Sequence, residues 1–326
     1  MELRRVQRTN SGTFFVSLPK EWAVRTGIVK GTSLAIRESI QGQLYLDPQN
    51  QPERKQMRTV IEPSAYLGRE IVGKYLLGYD EICVETKSTI SPQERILVKQ
   101  TSSRLIGLEI VEEDYARIVL QCLLEPTASS PAKILRREYN IAAGMHRDSV
   151  NAFLVGDVNL AKNVIARDVE VNRFYFLLVR TLRTVIQNPN LGEKLGIQAI
   201  DCLDYRLCGS LVEAIGDRAV EIAHKALVAK DMKVSREVKH LMGKFHSMVF
   251  IAQEQALKAF FDHDVPLAEE IRKKRQTVEK AYNDIELAVK SRVDEIVSLV
   301  LTAVSMMLQI FGYSVDIADL VMPKNQ

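Results

Sequence analysis

Residues 213–223 read EAIGDRAVEIA, and their spacing decides what kind of chain surrounds them. At 100° per residue, Leu211, Ile215, Ala219, Ile222 and Ala226 fall on one side of a helix, and Glu213, Asp217 and His224 on the opposite side. The stretch is an amphipathic helix that must bury one face against other helices.

Working outward, the pattern recurs. Val220-Glu221-Ile222-Ala223 returns 95 residues later as Val315-Asp316-Ile317-Ala318. Upstream, Asp157-Val158-Asn159-Leu160-Ala161 returns as Asp264-Val265-Pro266-Leu267-Ala268 at an offset of 107. The same offset sets Phe153 on Phe260, Val171 on Val278 and Tyr175 on Tyr282. The 12 residues lost between the two offsets correspond to 187–196, a loop that the second copy lacks. Residues 131–230 and 231–326 therefore read as two copies of a three-helix unit, each an antiparallel bundle, with Asp157 and Asp264 capping equivalent helices.

With Asp168-Val169-Glu170-Val171-Asn172-Arg173 in the second helix and Glu213 through Ala223 in the third, the region resembles the PhoU family of phosphate-uptake regulators. The resemblance implies two three-helix repeats whose acidic residues, four apart, hold metal ions on the bundle surface. On this chain those positions are Asp168 and Asn172, Glu213 and Asp217. Asp168 and Asn172 lie within the stripe made by Val164, Ile165, Tyr175 and Val179, where an unpaired carboxylate is costly, so a divalent ion or a basic partner such as Arg206 is expected beside them. The competing reading of Glu213 and Asp217 is a pair of solvent-facing acids balanced by Arg218 and Lys225. In the second copy the equivalents are Arg275, Glu279, Leu308 and Gly312, so at most one metal-binding face is expected, in the first repeat.

Residues 296–314 carry no charge, which approaches the length of a membrane span. Yet Val293, Ile296, Val297, Val300, Leu301, Val304, Met307, Leu308 and Phe311 keep helical spacing with Ser298, Thr302, Ser305 and Gln309 between them, as in a buried bundle helix rather than an integral membrane segment. The five histidines show no metal-binding spacing; among them only His224, two turns beyond Asp217, is a candidate ligand.

The front of the chain is different in kind. Residues 1–37 hold seven basic side chains against two acidic ones, a local balance of +5 in a chain of +3, so the basic footprint sits at one end. Residues 13–18 alternate as a strand with Phe14, Val16 and Leu18 on a buried face; Pro19 ends it, 20–25 make a short helix closed by Gly27, and strands follow at 33–37 and 43–46. About 45 residues cannot bury a core alone and must dimerise or lean on something larger.

Gly12, Leu18-Pro19-Lys20-Glu21-Trp22, Gly27-Ile28-Val29-Lys30-Gly31, Gly42 and Leu46 resemble the AbrB/SpoVT/MazE group of swapped-hairpin DNA-binding domains over the first 48 residues. Thr32 stands where an acidic residue is common in that group. The resemblance implies a homodimer of interlocked hairpins, with Arg4, Arg5 and Arg8 facing the duplex and Lys20 and Arg25 as further contacts. Such a module fused to PhoU repeats is an arrangement seen in archaea.

Between these regions, 47–58 is a polar, proline-bearing linker. Residues 59–125 form a small α+β unit with helices at 64–77 and 92–105 and strands at 81–85, 108–111 and 116–124; 125–131 is a second boundary. This unit carries no phosphate-cradling glycine loop and no catalytic cluster; it reads as a spacer and dimer support. Four cysteines without C-x-x-C spacing, and a start without an apolar leader, point to a cytoplasmic chain with buried thiols.

The expectation is thus an α+β multidomain protein: a swapped-hairpin module at 1–48, an α+β unit at 59–125, and PhoU-like bundles at 131–230 and 231–326. Its expected function is a DNA-binding transcriptional regulator of phosphate homeostasis. The competing reading is a signalling adaptor that docks on a phosphate transporter or its regulator and uses the front module only to dimerise. Enzymatic activity is the weakest reading, because no nucleophile–base pair stands out.

Overall fold

The computed structural model describes residues 3–38, 42–47, 56–125, 127–232, 234–289 and 295–323. Residues 48–55 of the expected linker, Pro126 of the second boundary and Val293 of the apolar stripe lie outside them. The chain divides into two units, Met1–Lys55 and Gln56–Gln326.

In the first unit, β1 (Gln7–Arg8) pairs antiparallel with β2 (Phe14–Phe15), α1 spans Lys20–Arg25, and β3 (Ala35–Glu38) pairs antiparallel with β4 (Leu44–Asp47). Pro19 precedes α1, and Gly27, at φ +71°, follows its cap Thr26 as a left-handed residue should. The expected strand at 13–18 shrinks to two residues, and its apolar face is not covered. Phe14 is 67 % exposed and Val16 47 %. Ile36, Leu44 and Tyr45 are exposed too, and no described residue of this unit is buried. Two short hairpins and one turn and a half of helix do not enclose a core within one chain.

The second unit begins with a four-stranded sheet in the order β5-β6-β8-β7, built from β5 (Arg58–Ile61), β6 (Glu81–Glu85), β7 (Leu108–Glu113) and β8 (Arg117–Cys122). β5 and β6 run parallel around α2 (Leu67–Leu76), and β8 pairs antiparallel with both β6 and β7. The sequence reading lacked β5, which is four residues long and polar at its start. α3 (Pro92–Ser103) opens on a full capping box, Ser91 accepting from the Glu94 N–H while Glu94 accepts from that of Ser91. Leu67, Ile71, Tyr75 and Val98 from the helices meet Ile82, Val84, Ile118 and Leu120 of the sheet in one core, and Phe176 from the helical region packs onto it.

The helical region follows: α4 (Pro131–Val155), α5 (Val158–Gln187), α6 (Pro189–Leu195), α7 (Asp201–Ala229), α8 (Arg236–Asp262), α9 (Val265–Lys273), α10 (Arg275–Val289) and α11 (Glu295–Asp319). In the first repeat α4, α5 and α7 pack on one another; in the second α8 packs on α9, α10 and α11. Asp157 caps α5, accepting from the N–H groups of Asn159 and Leu160 at 3.0 Å, and Asp264 caps α9, accepting from that of Leu267 at 3.0 Å. The expected loop at 187–196 contains a helix, α6, started by Pro189 and stopped by the left-handed Gly196. The long second helix α5 also has no continuous counterpart, because Lys274 interrupts the second repeat between α9 and α10.

α11 is long and apolar enough to cross a membrane, with 44 % of its most apolar window buried. Within this fold Val300, Ala303, Val304, Met307, Ile310 and Phe311 are buried against the other helices, so the run packs as the bundle helix that its spacing indicates. The repeats meet where α4 packs on α8 and α7 on α11. At the first contact the His146 Nδ1–H donates to Gln253 Oε1 at 2.9 Å, and the His146 ring stands edge-on to that of His246, centroids 4.8 Å apart.

A carboxylate face between two helices

The four residues singled out for metal come together from two neighbouring helices. α5 supplies Asp168 and Asn172, and α7 supplies Glu213 and Asp217. The helices approach closely at Gly209, where a Cβ would meet Leu178 at 2.6 Å and need it to move, whereas a Cβ at Gly216 would make ordinary contact with Val171 at 3.5 Å. With the helices this close, acids on their shared flank feel one another through protein rather than water.

Their protonation shows it. Asp168 is raised from its ordinary value by burial and then by the charge of Asp217, against a hydrogen bond from Asn172. Glu213 is raised by burial, then by Asp217 and Asp168, with Arg206 pulling the other way. Asp217 is raised by burial; Arg218 lowers it and Glu221 raises it. Asn172 Nδ2 donates to Asp168 Oδ2 at 3.0 Å, while Asp168 Oδ1 is buried with no partner. This corrects two expectations. Glu213 and Asp217 are half-buried against α5 rather than solvent-facing, because α5 covers the flank that a single helical wheel leaves open. Arg206 does not serve Asp168: its guanidinium lies 4.7 Å from the Tyr175 ring and acts on Glu213 and Glu138.

His224 is exposed and contributes nothing to the face. Arg218, offered as a surface partner, turns its Nη1 to Gln309 Oε1 at 3.3 Å across the repeat junction, although its charge still steadies Asp217. Among the described residues, no three His, Cys, Asp or Glu side chains stand in metal-ligand geometry. The donor set nonetheless suits an oxygen-liganded divalent cation, since three acids carry mutually unfavourable charge and one carboxylate oxygen is orphaned.

Sequence reasoning missed Glu138. It is fully buried on α4, both carboxylate oxygens lack a hydrogen bond, and burial followed by the charge of Glu213 raises it well above the ordinary range. The signal was present: Ile134, Leu135, Glu138, Tyr139 and Ala142 follow helical spacing, which places a glutamate inside an apolar stripe.

In the first unit the five DNA-contact candidates, Arg4, Arg5, Arg8, Lys20 and Arg25, are all exposed. Arg4 Nη1 donates to Ser17 Oγ at 3.0 Å, and the Arg8 guanidinium lies 5.4 Å from the Phe14 ring, which sets both along the β1–β2 hairpin.

Comparison with known proteins follows the helical region. Residues 135–226 match the model of the PhoU domain, the span from early α4 to late α7 that contains the carboxylate face. The chain also has the fold of solved PhoU proteins. PhoU from Pseudomonas aeruginosa is 20 % identical, with 58 % of this chain matched to 91 % of that one at a TM-score of 0.52. The phosphate transport system regulatory protein PhoU from Streptococcus pneumoniae is 16 % identical, with 57 % and 91 % covered at a TM-score of 0.50. A search of curated proteins by sequence gives no match. The first repeat is therefore similar to the PhoU domain, and the helical region has the fold of the solved PhoU proteins.

Proposed function

We propose that this protein is a cytoplasmic, homodimeric transcriptional regulator of phosphate uptake, with its PhoU-like repeats as sensor or relay and its basic front unit as the DNA-binding output. The observation that supports the DNA-binding reading is the pairing of two properties in the front unit. It presents Arg4, Arg5, Arg8, Lys20 and Arg25 to solvent, and none of its described residues is buried. The exposed Phe14, Val16, Ile36 and Leu44 are the apolar surface that interlocked hairpins of a second copy would bury. Phosphate contacts by the arginines supply affinity that falls as salt rises.

On this reading the carboxylate face of Asp168, Asn172, Glu213 and Asp217 holds a divalent cation through oxygen ligands. A bound cation would offset the mutual repulsion of these acids, which lie on the neighbouring helices α5 and α7. The allosteric signal is then a change in how those helices pack.

The experiment is a titration of the full-length protein against genomic DNA fragments at several salt concentrations. Binding that weakens with salt and is lost on combined Arg4→Ala, Arg5→Ala and Arg8→Ala supports the regulator. Absence of binding at low salt overturns it.

The second reading is an adaptor that docks on a phosphate transporter or its signalling partner. It is favoured by the fold shared with a protein described as a phosphate transport system regulator. Loss of DNA binding combined with retention of the dimer in low salt is the outcome that selects it.

A further inference from the structure

The sheet of the α+β unit, β5-β6-β8-β7, has two edges, and they differ in how far they are protected. β7 is blunted in the ways that keep an edge from pairing: a bulge between Ile110 and Glu112 interrupts its register, and Glu109, Glu112 and Glu113 lie along it. β5 runs without a bulge, and its one charge is Arg58, at its start. It pairs with β6 on one side, so alternate residues direct N–H and C=O groups outward on the other. Among the described residues no backbone hydrogen bond reaches 58–61 from that side. Val60 is 63 % exposed on this strand, on the opposite face from Ile61, which is buried in the core of the unit.

The edge is complementary to itself. When two copies of β5 lie antiparallel about a two-fold axis through Val60, the period of two keeps their faces matched. Val60 then meets Val60, and on both sides of the axis Arg58 meets Glu62 and Thr59 meets Ile61. Arg58 and Glu62 are both exposed, and the tie of Arg58 within its own chain is a long one, Nε to Glu81 Oε2 at 3.6 Å. Opposite charges directly across a strand pair attract. The neighbouring registers, with Thr59 or Ile61 on the axis, set Val60 against Arg58 or Glu62 and lose both ion pairs. Chain length favours the same occupant. Residues 48–57 join β4 to β5 and span at most ~35 Å, so a second copy held by the front unit delivers its own β5 at high effective concentration.

We propose that β5 is a homodimer seam: it pairs antiparallel with β5 of a second copy, Val60 on the two-fold axis, and joins the two four-stranded sheets into one of eight strands. The helices α2 and α3 of both copies then lie on the same face of that sheet. This rests on the homodimer reading given above and adds a second contact to the one expected of the front unit.

The test uses full-length protein, with a cysteine placed on the axis. Val60→Cys, oxidised under mild conditions, is expected to give a disulfide-linked dimer as its main product, because opposed residues of an antiparallel pair lie within disulfide reach. Val111→Cys, on the blunted edge, and the wild type, whose four cysteines are buried or half-buried, are expected to stay unlinked. Val60→Lys sets like charges on the axis, and Arg58→Glu sets an acid against the partner's Glu62. Each is expected to raise the dimer Kd measured by sedimentation about tenfold, and Arg58→Glu combined with Glu62→Arg to restore it. A sedimenting dimer that Val60→Cys does not lock, or equal linking at Val111→Cys, overturns the proposal and leaves the front-unit dimer standing. A Kd unmoved by Val60→Lys and Arg58→Glu does the same. A wild type that sediments as a monomer throughout overturns the proposal and the homodimer reading together.

Discussion

Asp80 joins two parts of the chain that are a hundred residues apart: one carboxylate oxygen lies 3.5 Å from Arg180 Nη2 on α5, and the other accepts the backbone N–H of Met57 at 2.8 Å. Arg180 is buried, donates from Nη1 to the carbonyls of Tyr75 and Tyr79 at 2.7 and 2.8 Å, and lies 4.9 Å from the Tyr75 ring. Met57 is the second residue of the compact unit, so the point at which the chain enters that unit is tied through one carboxylate to the helix bearing Asp168 and Asn172. Arg180→Met leaves two carbonyls and a carboxylate short of their donor. It should cost roughly 2–3 kcal/mol, the scale of hydrogen bonds to a charged group. Urea denaturation measures this, and a variant within 0.5 kcal/mol or so of wild type, the range of an ordinary surface change, would show that the lock carries no weight.

The carboxylate face makes a signed prediction about pH. Asp168 has a folded-state pKa above its unfolded value. Its penalty is therefore absent below the ordinary carboxylate range and grows as pH rises through that range, reaching its full size above the raised folded value. Cation-free Asp168→Asn should accordingly be more stable than wild type at neutral pH, with the two curves converging on acidification. Melts of both proteins from pH 7 down to about pH 4, near the reference carboxylate values, test it; a gap that widens in acid contradicts it.

The junction between the repeats responds in the opposite sense. Burial first, then His246, depresses His146 to about 3; burial first, then Arg147, depresses His246 to about 4. Both stay neutral in the folded protein while the unfolded chain takes up protons near 6.5. Their contribution is intact above that value and is lost as pH falls from it toward 4. In the double variant His146→Gln, His246→Gln this part of the acid destabilisation should vanish, leaving only the carboxylate trend.

Equivalent helix caps offer a calibration of the two repeats. Asp157 accepts two backbone N–H bonds and Asp264 one. Replacement by Ala should cost about 1–2 kcal/mol at Asp157 and about 1 kcal/mol or less at Asp264. Equal losses in chemical denaturation would mean that the second bond at Asp157 adds nothing.

How much of this was legible in the sequence depends on the range of the signal. The repeat, the caps Asp157 and Asp264, the strand at 81–85 and the bundle character of α11 could all be read, because each is written in local spacing or in a fixed offset. The convergence of Asp168 and Asn172 with Glu213 and Asp217 was legible only through family resemblance. What failed was the surroundings. A wheel drawn for α7 alone puts Glu213 and Asp217 in water, and only the neighbouring α5, brought close at Gly209, shows that they are half-buried. β5 was missed because four residues beginning with Arg58 show little alternation, and its place in the sheet is fixed by pairing with the distant β6. The lock at Arg180 was invisible, since a lone arginine on a long helix gives no hint that it reaches two carbonyls in another part of the unit. In the front unit the turn glycines and α1 were readable, whereas the strand face expected to be buried is exposed at Phe14 and Val16, because its alternation does not say what, if anything, lies against it.

His146 and Gln253 are separated by 107 residues, the same interval that relates the two repeats. A residue that touches its own counterpart must lie beside an approximate two-fold axis, as happens in symmetric dimers. While two halves are separate copies of one gene product, such a position can only meet itself, and two identical buried side chains seldom make a complementary donor and acceptor. Fusion into one polypeptide removes that constraint: the two sides of the axis can diverge independently, one into an imidazole and the other into an amide. The same freedom lets the second repeat carry Leu308 and Gly312 where the first carries Glu213 and Asp217. Specialisation of the two halves is what covalent duplication permits and what a symmetric assembly forbids.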